Sequence, residues 1–138
     1  MASNVICIDM GTSQMRIWLA SKGNIFDEPT AVAIDTRTGK VAEIGYLASK
    51  ALGRSPYDIK VYRPVQDGVV ADVSLCARFI SQVFVNLRLH RVLRGSTVLV
   101  SAPNQLTAVE KDALVDVIRN LGARRIILES AAKMAALG

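Results

Sequence analysis

The sequence predicts an α/β fold: a mixed five-stranded sheet with elements in the order β-β-β-α-β-α-β-α and a small inserted subdomain. Three observations support this prediction. Short apolar runs bounded by turn residues fill the first part of the chain, and such runs are typical of strands. From residue 73 onward, apolar residues at helical spacing alternate with buried-type strands, which indicates parallel pairing through right-handed crossovers. Between the two parts, Pro56, Pro64 and Asp67-Gly68 punctuate the stretch that we assign to the insertion.

The first half of the chain predicts strands and one short helix. Its predicted elements are strands over 4–9, 15–20, 30–35 and Ala42–Gly45, a helix over Tyr46–Leu52 and an extended run over Ile59–Tyr62. Gly53 is expected to cap the helix at its C-terminus. The first three strands should form an antiparallel meander that joins the parallel part of the sheet.

The second half predicts helices and strands in alternation. Asp72 is a suitable N-terminal cap, and Thr107 with Glu110 forms a capping box. The apolar strand Thr97–Ala102 suggests burial on both faces. In order, the predicted elements are a helix over about 73–89, that strand, a helix from Thr107 to Leu121, a strand over Arg125–Glu129 and a helix over Ser130–Leu137.

Composition favours one cytoplasmic globular domain. The chain has 138 residues, 51% of them hydrophobic, and no apolar run approaches the roughly 18–20 residues of a membrane span. The N-terminus leads directly into a strand, so no secretory signal is expected. Cys7 and Cys76 lie in apolar segments and are expected to be reduced core residues. A single histidine and no Cys-x-x-Cys pair argue against structural zinc.

Charge alone gives little support for a nucleic-acid partner. The net charge is +5, which is compatible with a polyanionic partner. The basic residues cluster only at Arg88–Arg94 and Arg124-Arg125, however, and aromatic residues make up 5% of the chain. That is too few for a base-stacking platform, so we predict no nucleic-acid partner.

The most distinctive motif is Asp9-Met10-Gly11-Thr12-Ser13-Gln14, a polar turn between two apolar runs. Gly11 lets the backbone approach a ligand closely, and successive N–H groups in such a turn can form an anion-binding concavity. Asp9 is suited to hold magnesium through water. The pattern indicates a nucleoside triphosphate site at the carboxyl ends of the strands, although an ordinary hairpin turn is the alternative. The predicted cofactor-binding residues are Asp9, Gly11, Thr12, Ser13 and Gln14.

Four stretches together point to one family: Ile8–Thr12, Asp27–Thr30, Leu52–Pro56 with Arg63–Asp72, and Leu121–Arg125. They resemble the MreB-type bacterial actin homologues of the actin/Hsp70/sugar-kinase ATPase superfamily. Ile8–Thr12 is similar to the first phosphate loop of that family, and the pair Leu52–Pro56 and Arg63–Asp72 is specific to MreB-type proteins. The resemblance covers essentially the whole chain.

The resemblance implies half of an actin-like (ribonuclease H-like) ATPase fold, with residues 1–28 and 67–138 as subdomain IA and 29–66 as subdomain IB. It also implies ATP and magnesium as cofactors of the parent family and self-association or assembly with actin-like filament subunits. The family continues past this point with a second lobe, so a single lobe is expected to bind nucleotide weakly or not at all.

One departure from the family pattern concerns catalysis. In the family, an acidic pair and a proline follow the last strand, and the second acid orients the attacking water. Here these positions hold Ser130, Ala131 and Ala132, and a methyl group cannot activate water. Glu129 would substitute only if the strand end shifted. We therefore assign no catalytic residue and expect no ATPase activity from this chain alone.

The segment 87–94 alternates apolar and basic residues. In the resembled family the corresponding loop touches the inner membrane, which makes Leu89, Val92, Leu93 and Arg94 candidate membrane contacts. Each basic residue near an anionic leaflet contributes about 1 kcal/mol. The alternative is a helix C-terminus with arginines beside its carbonyl groups and leucines in the core.

Three functions therefore remain open. The first is a cytoskeletal actin-like cell-shape protein or fragment, whose parent activity is ATP-dependent polymerisation that guides cell-wall synthesis and rod shape. The second is a degenerate short paralogue that regulates actin-like filaments. The third, a freestanding nucleotide hydrolase or kinase, is disfavoured by the missing water-positioning acid. A cytoplasmic location is expected, with a peripheral position at the inner membrane left open.

Overall fold

The computed structural model describes residues 4–51, 58–66, 69–102 and 106–130. In chain order their elements are β1 (Val5–Met10), β2 (Gln14–Leu19), β3 (Gly23–Pro29), β4 (Val32–Asp35), β5 (Val41–Ile44), α1 (Gly45–Lys50), β6 (Ile59–Tyr62), β7 (Val65–Gln66), β8 (Val69–Val70), α2 (Val73–Asn86), α3 (His90–Leu93), β9 (Thr97–Ala102), α4 (Ala108–Asn120) and β10 (Arg125–Ser130).

The larger sheet has five strands in the order β10-β9-β1-β2-β3. β2 pairs antiparallel with both β1 and β3, whereas β9 pairs parallel with both β1 and β10. The predicted mixed five-stranded sheet is therefore confirmed. The turn between β1 and β2 lies at the carboxyl end of β1, as the sequence motif indicated.

The third strand of this sheet is not the predicted one. The prediction that residues 30–35 supply it is wrong, because Gly23–Pro29 pairs with β2 and Val32–Asp35 belongs to a separate sheet of order β5-β4-β6. β3 is an edge strand in which only Phe26 is fully buried, so its sequence carries little apolar alternation. β4 is apolar throughout its first three residues because it is the central strand of the smaller sheet.

The helix predicted over 73–89 ends earlier, at Asn86. Arg88 adopts a left-handed backbone with φ +54°, and the Leu89 N–H donates to the Phe84 carbonyl oxygen at 3.0 Å. This is the six-to-one hydrogen bond of a Schellman motif. The chain then reverses into the short helix α3.

Both predicted N-terminal helix caps are confirmed. The Asp72 carboxylate accepts a hydrogen bond from the Leu75 N–H at 3.1 Å. The Thr107 hydroxyl oxygen accepts one from the Glu110 N–H, also at 3.1 Å. Each cap satisfies an N–H group that has no partner inside the helix, so both start points are set by local chemistry.

The core lies between the five-stranded sheet and the pair α2 and α4. Alternate strand residues and the inner faces of both helices are buried in it: Ile6, Ile8, Met15, Ile17, Val98, Val100, Phe79, Ile80, Leu114 and Ile118. On the other face of the sheet Trp18 is 45% exposed. Burial of Thr97–Ala102 on both faces, as predicted, is not seen among the described residues, because alternate residues of β9 are only half-buried.

Several predictions fall outside the described residues. These are the cap Gly53, the turn Asp67-Gly68, Ala131, and the helix over Ser130–Leu137, of which Ser130 is instead the last residue of β10.

Among the helices of the described ranges, none has both the length and the apolar character to cross a bilayer.

Candidate phosphate-binding turn

The polar turn is closed by a backbone hydrogen bond across its mouth. The Gly11 N–H donates to the Gln14 carbonyl oxygen at 3.0 Å. A Cβ atom at Gly11 would lie 2.6 Å from that same oxygen, so a side chain there would force the turn open. Glycine is therefore required by the closeness of the backbone.

Thr30 fixes the turn from outside. Its hydroxyl donates to the Gly11 carbonyl oxygen at 2.9 Å, and its N–H donates to the Ser13 carbonyl oxygen at 3.0 Å. Thr30 is 1% exposed. Because a trans peptide directs its C=O and N–H to opposite sides, these two bonds turn the N–H groups of Thr12 and Gln14 away from Thr30. We call the side of the turn that faces away from Thr30 its donor side.

Asp9 lies beside the turn on the open face of the sheet. It is exposed and sits in register between Arg16 on β2 and Ser101 on β9. With Trp18 and other residues of these strands, they line a shallow cavity of about 280 Å³. The structure thus brings the predicted magnesium-binding carboxylate to the same end of β1 as the turn.

Gln14 is engaged with β3. Its Nε2 donates to the Asp27 Oδ1 at 2.9 Å, and the Arg16 Nε lies 3.4 Å from the same oxygen. Sequence reasoning missed Thr30, Arg16 and Asp27 as parts of this site. The pairing of β2 with β3 is what brings them here, and only the register of that pairing could have revealed it.

Glu129 also belongs to this end of the sheet. β10 pairs with β9 so that Glu129 is opposite Ser101, which is in turn opposite Asp9. Two strand spacings separate the Cα atoms of Asp9 and Glu129, about 10 Å. Ala131, at the position where the resemblance implies a water-positioning acid, lies outside the described residues.

Neither a cluster of metal ligands nor a disulfide is found among the described residues. Among the described residues, no three His, Cys, Asp or Glu side chains converge on a point that would hold a metal ion. Cys7, which lines the cavity, and Cys76 are free thiols. Burial raises the pKa of Cys7, and burial together with the charge of Asp72 raises the pKa of Cys76 to about 12.

The basic segment 87–94 lies at the opposite end of the sheet. Leu89 is 6% exposed and Leu93 is 0% exposed, so both lie in the core. Val92 is half-buried and Arg94 is exposed. Arg94 lines an open cavity of about 610 Å³ with His90, Arg91, Asn120, Leu121 and Gly122. Basic side chains, rather than leucines, are what this segment offers to solvent.

Comparison with known proteins agrees with the resemblance described in the sequence analysis. A family model described as MreB/Mbl protein matches residues 3–138. The chain is 34% identical to the cell shape-determining protein Mbl of Bacillus cereus, over 96% of this chain and 40% of that protein. It is also 34% identical to the cell shape-determining protein MreB of Escherichia coli K12, over 100% of this chain and 41% of that protein. The chain therefore spans about two fifths of the length of these relatives.

Solved structures agree on the fold. MreB5 of Spiroplasma citri bound to AMPPNP superposes with a TM-score of 0.85 at 28% identity, over 99% of this chain and 41% of that chain. The MamK double helical filament gives a TM-score of 0.70 at 16% identity, over 94% of this chain and 41% of that chain, a likeness of fold alone. The predicted actin-like half-fold is thereby confirmed.

Proposed function

The chain belongs to the MreB/Mbl family, and from this we propose that it is part of a cytoskeletal, actin-like cell-shape protein. The match over residues 3–138 is the observation that carries the proposal. Both relatives named above are cell shape-determining proteins. In this role the chain would supply filament contacts to further copies of itself or to other actin-like subunits, and one side of a nucleotide site.

Sedimentation tests this function against a regulatory role. If the chain is a filament subunit, it pellets by itself in a concentration-dependent manner under conditions in which an MreB polymerises. If it instead regulates filaments, it stays in the supernatant alone and lowers or caps the polymer formed by an added MreB. The second result would favour the short-paralogue alternative.

The subdomain division follows from the same proposal. Subdomain IA would be built on the five-stranded sheet from residues 1–28 and 67–138, and subdomain IB on the β5-β4-β6 sheet within 29–66. The junction between them is then the segment that joins β3 to β4, which carries Thr30.

For the nucleotide, we propose that the Gly11–Gln14 turn receives phosphate oxygens on its donor side. Asp9 would hold magnesium indirectly, through water molecules, since a magnesium ion retains much of its hydration shell. Two features support this assignment: the close backbone approach that Gly11 permits and the orientation that Thr30 imposes on the peptide groups. A lone lobe contacts only part of a nucleotide, so we expect a dissociation constant above about 1 mM.

Substituting Asp9 tests this assignment. Titration of the chain with magnesium–ATP, followed by NMR, is expected to shift the amide signals of residues 11–14. Asp9→Asn should lower the affinity for magnesium–ATP, measured from the magnesium-dependent part of these shifts, about tenfold. The reason is that a hydrogen bond to a charged group is worth roughly 1.5–3 kcal/mol. Asp116→Asn, which changes an exposed carboxylate on α4, is the matched control.

Two results would contradict the nucleotide proposal. One is a set of shifts confined to other parts of the chain; the other is equal titration curves for the two variants. Hydrolysis is a separate question, since we expect no steady ATP turnover from the chain alone. A turnover that disappears in Asp9→Ala would overturn that expectation.

We further propose that any contact with the inner membrane is electrostatic. Leu89 and Leu93 are buried, while Arg88, Arg91 and Arg94 are exposed. Basic residues contribute about 1 kcal/mol each near an anionic leaflet. Such binding would be reversible and sensitive to salt.

Charge reversal on this segment tests the membrane proposal. Arg91→Glu with Arg94→Glu should lower the affinity for anionic vesicles, measured by co-sedimentation, about 30-fold. This is the equivalent of roughly 2 kcal/mol. Lys40→Glu with Lys50→Glu makes the same change in net charge at exposed positions after β4 and at the end of α1 and should have little effect. Equal losses in the two pairs would mean that only net charge matters, and the proposed surface would be rejected.

A further inference from the structure

A continuous set of hydrogen bonds links the phosphate-binding turn to the smaller sheet. Thr30 donates to the turn, as described above, and the next carbonyl, that of Ala31, accepts from the Gly45 N–H at 3.0 Å. The Glu28 Oε1 accepts from the Tyr46 N–H, also at 3.0 Å. One short segment of chain, residues 28–31, therefore holds the turn on one side and the start of α1 on the other.

This segment, which we call the strap, has little room to adjust. Thr30 is 1% exposed and Ala31 is 0% exposed. Gly45 has a left-handed backbone with φ +65°, and a Cβ atom there would overlap the Glu28 carboxylate. The carboxylate reaches the helix start only because that position is glycine. Movement at one end of so confined a segment must be accommodated at the other.

We propose that Thr30 is a positioning residue that sets the geometry of the phosphate-binding turn and, through the strap, couples this turn to α1, the helix that follows β5 of the smaller sheet. The role of the turn rests on the function proposed above. A phosphate bound on the donor side of the turn would accept hydrogen bonds from peptide groups whose carbonyl oxygens accept hydrogen bonds from Thr30. Linkage requires the reverse effect to be equally large: whatever displaces α1 changes the affinity of the turn for phosphate.

Two substitutions at Thr30 separate its hydroxyl from its packing. Thr30→Val keeps the shape of the side chain and removes the hydroxyl, whereas Thr30→Ser keeps the hydroxyl and loses a methyl group. We expect Thr30→Val to accelerate amide hydrogen exchange about tenfold at Gly11 and at Tyr46, on the scale of one lost hydrogen bond. Thr30→Ser should stay close to the wild type at both amides.

A matched control is available on the smaller sheet. The Thr36 hydroxyl also donates to a backbone carbonyl, that of Asp58, at 3.1 Å, but Thr36 lies outside the strap. Thr36→Val is expected to leave exchange at Gly11 unchanged. From the other end of the strap, Glu28→Ala should accelerate exchange at Tyr46 and also at Gly11, while Glu43→Ala, at an exposed site on β5, should affect neither.

The outcomes distinguish the coupling from the nucleotide site. Faster exchange at Gly11 without any change at Tyr46 in Thr30→Val would overturn the coupling. Equal damage from Thr30→Ser and Thr30→Val would reduce Thr30 to a packing role and overturn its assignment as a positioning residue. Magnesium–ATP should slow exchange at both amides of the wild type. If it slows neither while the Thr30→Val effects persist, the nucleotide site is refuted and the coupling is supported.

Discussion

Phe79→Ala is expected to destabilise the chain by about 3–5 kcal/mol, the usual cost of deleting a buried aromatic side chain. Phe79 is 1% exposed and lies on the face of α2 that packs against the five-stranded sheet. Removing its ring loses apolar burial and leaves a cavity that the surrounding strands can only partly fill. Such a loss is a large fraction of the 5–15 kcal/mol by which domains are stable.

Urea denaturation followed by circular dichroism measures this effect. Val85→Ala is the control on the same helix, because Val85 is 60% exposed and its truncation should change the free energy of unfolding by no more than about 0.5 kcal/mol. Similar midpoints for the two variants would mean that α2 does not pack on the sheet as described.

Gly45→Ala is expected to destabilise the chain by about 3 kcal/mol. A left-handed backbone costs an alanine about 1–2 kcal/mol, and the added methyl group also displaces the Glu28 carboxylate from the Tyr46 N–H, which is worth about 1 kcal/mol more. Gly39→Ala isolates the first contribution, since Gly39 has φ +72° and open space around its Cβ position.

A double-mutant cycle isolates the second contribution. In Glu28→Ala the carboxylate is absent and only the Cβ of residue 28 stays near the added methyl group, at 3.0 Å, so adding Gly45→Ala to that background should cost little more than Gly39→Ala. Urea midpoints for the four chains give the coupling energy. A Gly45→Ala cost that is the same with and without Glu28 would show that the carboxylate does not occupy the space above Gly45.

Helix ends show what sequence alone could and could not predict. The helix from Thr107 was predicted to end at Leu121, and the next residue, Gly122, has φ +116°, a conformation that glycine readily adopts. Arg88 occupies the equivalent position after α2 with φ +54°. An arginine gives no local signal for such a conformation, so the apolar periodicity wrongly extended α2 to residue 89.

The strands show a similar limit. β1, β2 and β9 are apolar runs whose positions were predicted correctly, although β9 is buried on one face and not on both. β3 lies at the sheet edge, where few residues are buried, and its pairing is dictated by the turn after β2 rather than by its own composition. Tertiary context therefore decided the third strand, and the run 30–35 was assigned to the wrong sheet.

For the candidate site, the local part was predictable and the supporting part was not. Asp9 and the turn at Gly11 come from contiguous residues whose chemistry is visible in the sequence. Thr30 and Asp27 reach the turn through strand register, which depends on where β3 pairs. The sequence therefore did not predict the strap between the turn and α1, because the strap depends on contacts between parts of the chain that are distant in sequence.

The run of β1 through the sheet has a last consequence. Its carboxyl end meets the phosphate-binding turn, while its amino end neighbours the start of β9, where Arg94 lies. Six residues of strand separate these ends by about 20 Å, roughly twice the screening distance in physiological salt. In the membrane-bound arrangement proposed above, this distance leaves the Gly11–Gln14 turn accessible to a nucleotide while the arginines remain at the bilayer.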